Sequence, residues 1–114
     1  MITKNAYLKQ LNGLTFVAKA NTNHWVVMDS SIEAGGNASG STPKELVLMG
    51  LAGCTSADIV SILKKKRVKL EKYEVNINAV EADEHPKVYT DIHLEFVFYG
   101  KDIQPKDVER SMDD

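Results

Sequence analysis

Cys54 is the sharpest candidate for chemistry in this chain of 114 residues, because it is the only cysteine. As a thiolate it would be a nucleophile or a redox centre. The residues around it favour a structural thiol instead. A cysteine in the middle of a helix gains nothing from the helix N-terminus, and Asp58, one turn on, adds negative charge nearby. Reactivity therefore requires a cation delivered by another part of the fold. His24, His85 and His93 are scattered over strands and a loop, without the spacing of metal ligands, so neither a metal nor another cofactor is expected. Gly35 and Gly40 have the four-residue gap of a phosphate-binding loop, followed by Thr42. Ser41, however, stands where that loop needs its lysine, and Pro43 removes an amide, so the segment reads as a flexible connection. Lys64, Lys65, Lys66 and Arg67 could touch phosphates, but cations at the negative end of a helix dipole explain them without a ligand.

The element that must position Cys54 is a helix over residues 43–67. Thr42 and Glu45 form a capping box, and Pro43 sits at the first helical position, where its missing amide hydrogen costs nothing. Such a helix runs roughly 37 Å at 1.5 Å per residue. Residues 46–54 are apolar or small on every side, so this half is expected to be surrounded by protein. Gly50, Gly53 and Ala57 make one small-residue stripe with Cys54 at its edge. Glycine inside a helix costs about 0.5–1 kcal/mol relative to alanine, and close approach of another backbone is the compensation. A second helix or the same helix of another subunit would serve equally.

Strands flank the helix. Residues 5–11 and 14–20 alternate around Asn12-Gly13, a hairpin signal, and residues 24–29 add a third strand with Trp25 and Val27 on one face. After the helix, residues 68–72 make a short connection. Tyr73, Val75, Ile77 and Ala79 then alternate in a strand over 73–80, and residues 81–87 turn the chain. In the strand over 88–99, Val88, Ile92, Leu94, Phe96 and Phe98 share one face. A last helix opens at 105–112. The pattern is α+β, with antiparallel strands around a long central helix. With 43% hydrophobic residues the chain suits a single soluble domain. Its net charge of −2 gives no reason to expect a nucleic-acid or membrane partner. A lone cysteine and an N-terminus without an apolar core point to the cytoplasm. The uninterrupted apolar run of residues 46–54 is short of a membrane span.

The stretch STPKELVLMGLAGCTSADIVSILKKKR strongly resembles the central helix of the OsmC/Ohr family, the osmotically inducible protein C and organic hydroperoxide resistance proteins. EADEHPKVYTDIHLEFVFYGKDI resembles the hairpin that follows it in the general OsmC-like branch. The resemblance spans essentially the whole chain, and its helix motif lies around Pro43, Glu45, Leu46, Gly53 and Cys54. It implies an intertwined homodimer of extended sheets on long central helices, and thiol-dependent reduction of organic hydroperoxides. Cys54 would attack the peroxide, Glu45 would assist, and an external thiol would complete the cycle. The family's second cysteine belongs to the helix that opens at Pro105, and the chain ends before reaching it. No arginine precedes Arg67 to activate the thiolate, which leaves Lys19 or a histidine. Two other readings follow: a non-catalytic dimeric domain that binds a small apolar ligand, or a truncated form of a longer enzyme.

Overall fold

The computed structural model describes residues 2–83 and 88–113, so His85 and most of the expected turn around it lie outside the described residues. The order is β1 (Ala6–Asn12), β2 (Thr15–Ala20), β3 (Val26–Met28), α1 (Pro43–Lys65), β4 (Leu70–Glu81), β5 (Tyr89–Gly100) and α2 (Pro105–Asp113). The fold class is α+β, with antiparallel strands and one long helix. The residues gather into two compact units, Met1–Val47 and Leu48–Asp114, and α1 contributes to both.

In the first unit β1, β2 and β3 form an antiparallel meander. Asn12 pairs with Thr15, so the tight turn is Gly13-Leu14, one residue later than the Asn-Gly signal indicates. Gly13 alone takes the left-handed conformation there, with φ of 54°, and the register slips between Gln10 and Asn12. β3 is only three residues long, against the six expected over 24–29. Asn23 closes a turn from a left-handed conformation before it, and Asp29 leaves the ladder after it to bind the following loop. On the exposed sheet, Tyr7 meets Trp25 edge-to-face at 6.3 Å. Lys19 lies 4.8 Å over the Trp25 ring and donates to Asn23 Oδ1 at 3.0 Å.

In the second unit β4 and β5 form a long antiparallel hairpin. Tyr73, Val75 and Ile77 pair with Phe98, Phe96 and Leu94 on its more buried face. Against this unit α1 buries Ala52, Ile59 and Leu63. These positions recur near the helical period with Ser56 between them, so they share one stripe. The Tyr73 hydroxyl donates to Ser56 Oγ at 2.8 Å, and its ring meets Phe98 edge-to-face at 5.3 Å, which fixes hairpin to helix. α2 begins at Pro105, with the amides of Asp107 and Val108 bonded to the Gln104 carbonyl.

α1 is shorter than the 43–67 expected because its last residues form a Schellman motif. The Val68 amide bonds to the Leu63 carbonyl and the Arg67 amide to the Lys64 carbonyl, both at 3.0 Å. The turn brings the chain straight into β4 at Leu70, three residues earlier than expected. Arg67 holds the left-handed position at φ of 60°, where glycine is the usual occupant. Arg67→Gly is therefore expected to stabilise the protein by about 1 kcal/mol, read as a raised denaturation midpoint with unchanged m-value. A lowered midpoint would show that the arginine side chain holds the corner together.

The first half of α1 departs most from expectation. Val47 is 63% exposed, Met49 50% and Leu51 42% in the single chain. The surrounding protein anticipated for residues 46–54 is not supplied by this chain among the described residues. Although its uninterrupted apolar run is short, α1 as a whole is long and apolar enough to cross a bilayer by length and composition.

Candidate functional site

Cys54 projects from the exposed side of α1 as a free thiol. It is two residues from Ala52, so the helical period turns it about 200° away from the buried stripe. The sequence placed it in packed apolar surroundings; within one chain it meets solvent instead. Among the described residues it has no hydrogen bond or ion pair. Gly50 and Gly53 also face open space, since a Cβ built on either meets nothing within 4 Å.

Glu45 stands at the start of α1. Its Oε1 accepts from the Thr42 amide at 2.8 Å, and its own amide donates to Thr42 Oγ1 at 3.1 Å. The Thr42 backbone amide, and after it the Thr42 side chain, hold the Glu45 carboxyl below the usual glutamate range. This is the capping box, and a carboxylate in it is both anchored and ionised.

The loop over residues 30–41 is not a flexible connection. Its organiser is Asp29, fully buried. Thr15 Oγ1 donates to Asp29 Oδ2 at 2.7 Å, and Asn37 Nδ2 donates to Thr15 Oγ1 at 3.2 Å. The amides of Ser30 and Asn37 donate to Oδ1 at 2.7 and 3.3 Å, and that of Ser39 to Oδ2 at 3.2 Å. Burial alone would raise the Asp29 pKa, but the Thr15 hydroxyl and the Ser30, Ser39 and Asn37 amides outweigh it and lower it to about 2. These amides are what a phosphate-binding loop would offer a nucleotide, and here the chain's own carboxylate occupies them. Gly36 completes the cradle: a Cβ there would collide with the Ser30 carbonyl and lie 2.6 Å from Asp29 Oδ1. No motif marks Asp29 in the sequence. The signal available was an aspartate at a strand end entering a Ser-, Asn- and Gly-rich segment whose amides need an acceptor.

His24 and His93 are both exposed, and among the described residues no group of three or more His, Cys, Asp or Glu side chains could hold a metal.

Comparison with known proteins agrees with this architecture. The chain is 35% identical over 108 residues to Protein YhfA of Escherichia coli K12, a match spanning 95% of this chain and 78% of that protein. The crystal structure of a hypothetical protein from Aquifex aeolicus superposes with a TM-score of 0.84 at 27% identity, covering 98% of this chain and 77% of that one. The organic hydroperoxide resistance protein OsmC of Legionella pneumophila shares the fold, with a TM-score of 0.70 at 16% identity over 99% of this chain and 81% of that one. Residues 35–114, from within the loop before α1 onward, match the family described as OsmC-like protein. The chain belongs to the OsmC-like family.

Proposed function

We propose that this protein is a cytoplasmic, homodimeric, thiol-dependent reductase of organic hydroperoxides, with Cys54 as the attacking residue. What supports this reading most is the exposed Cys54 thiol on the apolar central helix of a family with hydroperoxide resistance proteins among its structural neighbours. The family's proteins are soluble, so α1 is taken as a core helix and not a membrane span. A dimer would cover its bare apolar face.

In this mechanism the Cys54 thiolate attacks the terminal oxygen of R–O–OH. The S–O bond forms as the O–O bond breaks, and the alkoxide leaves and takes up a proton as ROH. Cys54 is oxidised to a sulfenic acid and the peroxide is reduced to alcohol. An external thiol then condenses with the sulfenic acid, releasing water and leaving a mixed disulfide. A second equivalent of that thiol displaces Cys54 as a thiol and departs as a disulfide. Glu45 is the carboxylate proposed to assist the attack. Glu45→Gln separates this role from capping, because glutamine also serves in a capping box.

The test is intact-mass spectrometry after brief exposure of the folded protein to cumene hydroperoxide with a sulfenic-acid trap present. One trapped adduct on Cys54 is expected, absent in Cys54→Ser, slower to form with hydrogen peroxide, and slowed in Glu45→Gln without loss of helix. An adduct that forms only after denaturation would sink the enzymatic reading. It would favour a non-catalytic dimeric domain binding a small apolar ligand, in which Cys54→Ser leaves function intact.

A further inference from the structure

The basic end of α1 is unexplained by thiol chemistry. Lys64, Lys65, Arg67, Lys69 and Lys101 lie near one another in sequence or along one cleft wall, in a chain of net charge −2. Among the described residues none of them makes a salt bridge. Their neighbours Lys66 and Lys72 do, to Asp107 at 3.8 Å and to Glu74 at 2.7 Å. A cationic helix end needs only a residue or two to suit the dipole. Further unpaired cations repel one another and add nothing to the fold.

Two clefts meet at this corner. One is lined by Lys66, Arg67, Lys69 and Lys101 together with Glu71, Asp102 and Asp107, four cations against three carboxylates, so its charges nearly balance. The other, of about 420 Å³, has an apolar floor that includes Val60, Leu63 and Leu70 under a rim of Lys64, Arg67 and Lys69, and among the described residues no acidic one lines it. Leu63, its deepest wall at 1% exposure, is nine residues from Cys54. That is roughly 13 Å along α1 and on the opposite side of the helix, so this cleft is not the thiol's pocket. Arg67 reaches the rim from the left-handed position that glycine would fill with less strain. Strain of this kind is retained where a side chain is needed.

We infer that this cleft is a binding site for a free organic monoanion with an aliphatic body, a carboxylate whose chain lies on Val60, Leu63 and Leu70 and whose head meets Lys64, Arg67 and Lys69. The division of polarity fixes the class. An apolar floor disfavours small inorganic anions, which would lose hydration without replacement, and an all-cationic rim repels cations and finds no counter-charge on a neutral hydrocarbon. A cleft of about 420 Å³ has room for one chain, whereas a membrane surface would require a broad basic face.

The probe is octanoate, titrated into the protein while the methyl signals of Val60, Leu63 and Leu70 are followed by NMR. Saturable shifts confined to these methyls are expected, with affinity falling at least tenfold in Lys64→Gln/Arg67→Gly/Lys69→Gln. Octanol, with the same body and no charge, should bind at least tenfold more weakly than octanoate. Arg67→Gly alone should weaken octanoate binding although it melts no lower than wild type, so lost binding cannot be attributed to lost folding. Unchanged affinity in the triple variant, equal binding of octanol, or shifts centred elsewhere would each overturn the inference. So would binding to phosphatidylglycerol vesicles that octanoate does not compete for, which would make the corner a lipid-surface contact.

Discussion

Asp29→Ala is expected to dissolve the loop over residues 30–41 and to lower thermal stability more than any single exposed substitution in the protein. The alanine removes the acceptor of the Thr15 hydroxyl and of the Ser30, Asn37 and Ser39 amides together. Thr15 is itself buried, and water cannot replace a buried partner without opening the fold around it. Amide exchange at Asn37 and Ser39 gives the direct readout: protection in the wild type and rapid exchange in the variant. If both amides stay protected in Asp29→Ala, the loop is held by other contacts. Asp29→Asn provides the intermediate case, since its carbonyl oxygen accepts but its amide group faces donors.

The same carboxylate sets an acid limit whose sign is fixed. Asp29 is lowered from the ordinary 3.8 to about 2 by folding, so the folded state binds its proton more weakly than the unfolded state does. Its contribution is fully present above about pH 4, shrinks as the pH falls, and is gone once the pH passes below about 2. Glu45, also lowered by its Thr42 contacts, acts in the same direction. Melting temperatures measured between pH 6 and 2 should therefore fall steeply in the wild type below pH 4. In Asp29→Asn the curve should start lower and be flatter over that window. A variant curve parallel to the wild type would assign the acid sensitivity to other carboxylates.

Much of the architecture was legible because the local signals and the tertiary structure agree. The capping box at Thr42 and Glu45, the alternation of Tyr73, Val75 and Ile77, and the apolar face of Leu94, Phe96 and Phe98 each specify an element through short-range physics. The ends were less legible. Where the Schellman turn closes depends on Arg67 accepting a conformation that composition assigns to glycine. Where β3 stops depends on Asp29 being drawn into hydrogen bonds with a loop up to ten residues away. The site was legible as a position and not as an environment. Cys54 could be found by its rarity and by the helix around it, whereas its exposure follows from which stripe of α1 faces the hairpin, a choice made by Ser56 and Tyr73 as much as by the apolar residues. An all-round apolar helix promises burial without saying whose atoms provide it.

That last point makes the second large prediction one of opposite signs in one variant. Gly50 and Gly53 stand in the interior of α1 with open space beside them, on a helix whose Val47 is 63% and Met49 50% exposed. For an isolated chain, Gly50→Ala/Gly53→Ala should be stabilising by about 0.5–1 kcal/mol per site, from helix propensity alone. For the proposed homodimer the two methyl groups enter the closest approach between helices. Overpacking of this kind costs about 1–3 kcal/mol, roughly a 5- to 150-fold weaker dimer. Sedimentation across a dilution series should show a dimer in the wild type and a shift toward monomer in the double variant. Peptide-level helicity of the 43–65 segment should rise with the same substitutions. A double variant that dimerises as tightly as the wild type would place the interface elsewhere and leave the glycines without a role. A wild type that remains monomeric at high concentration would remove the dimer itself, and the bare face of α1 would then need another partner. The glycine stripe thus separates what the helix gains by itself from what it gains by being covered, because one pair of methyl groups moves the two quantities in opposite directions.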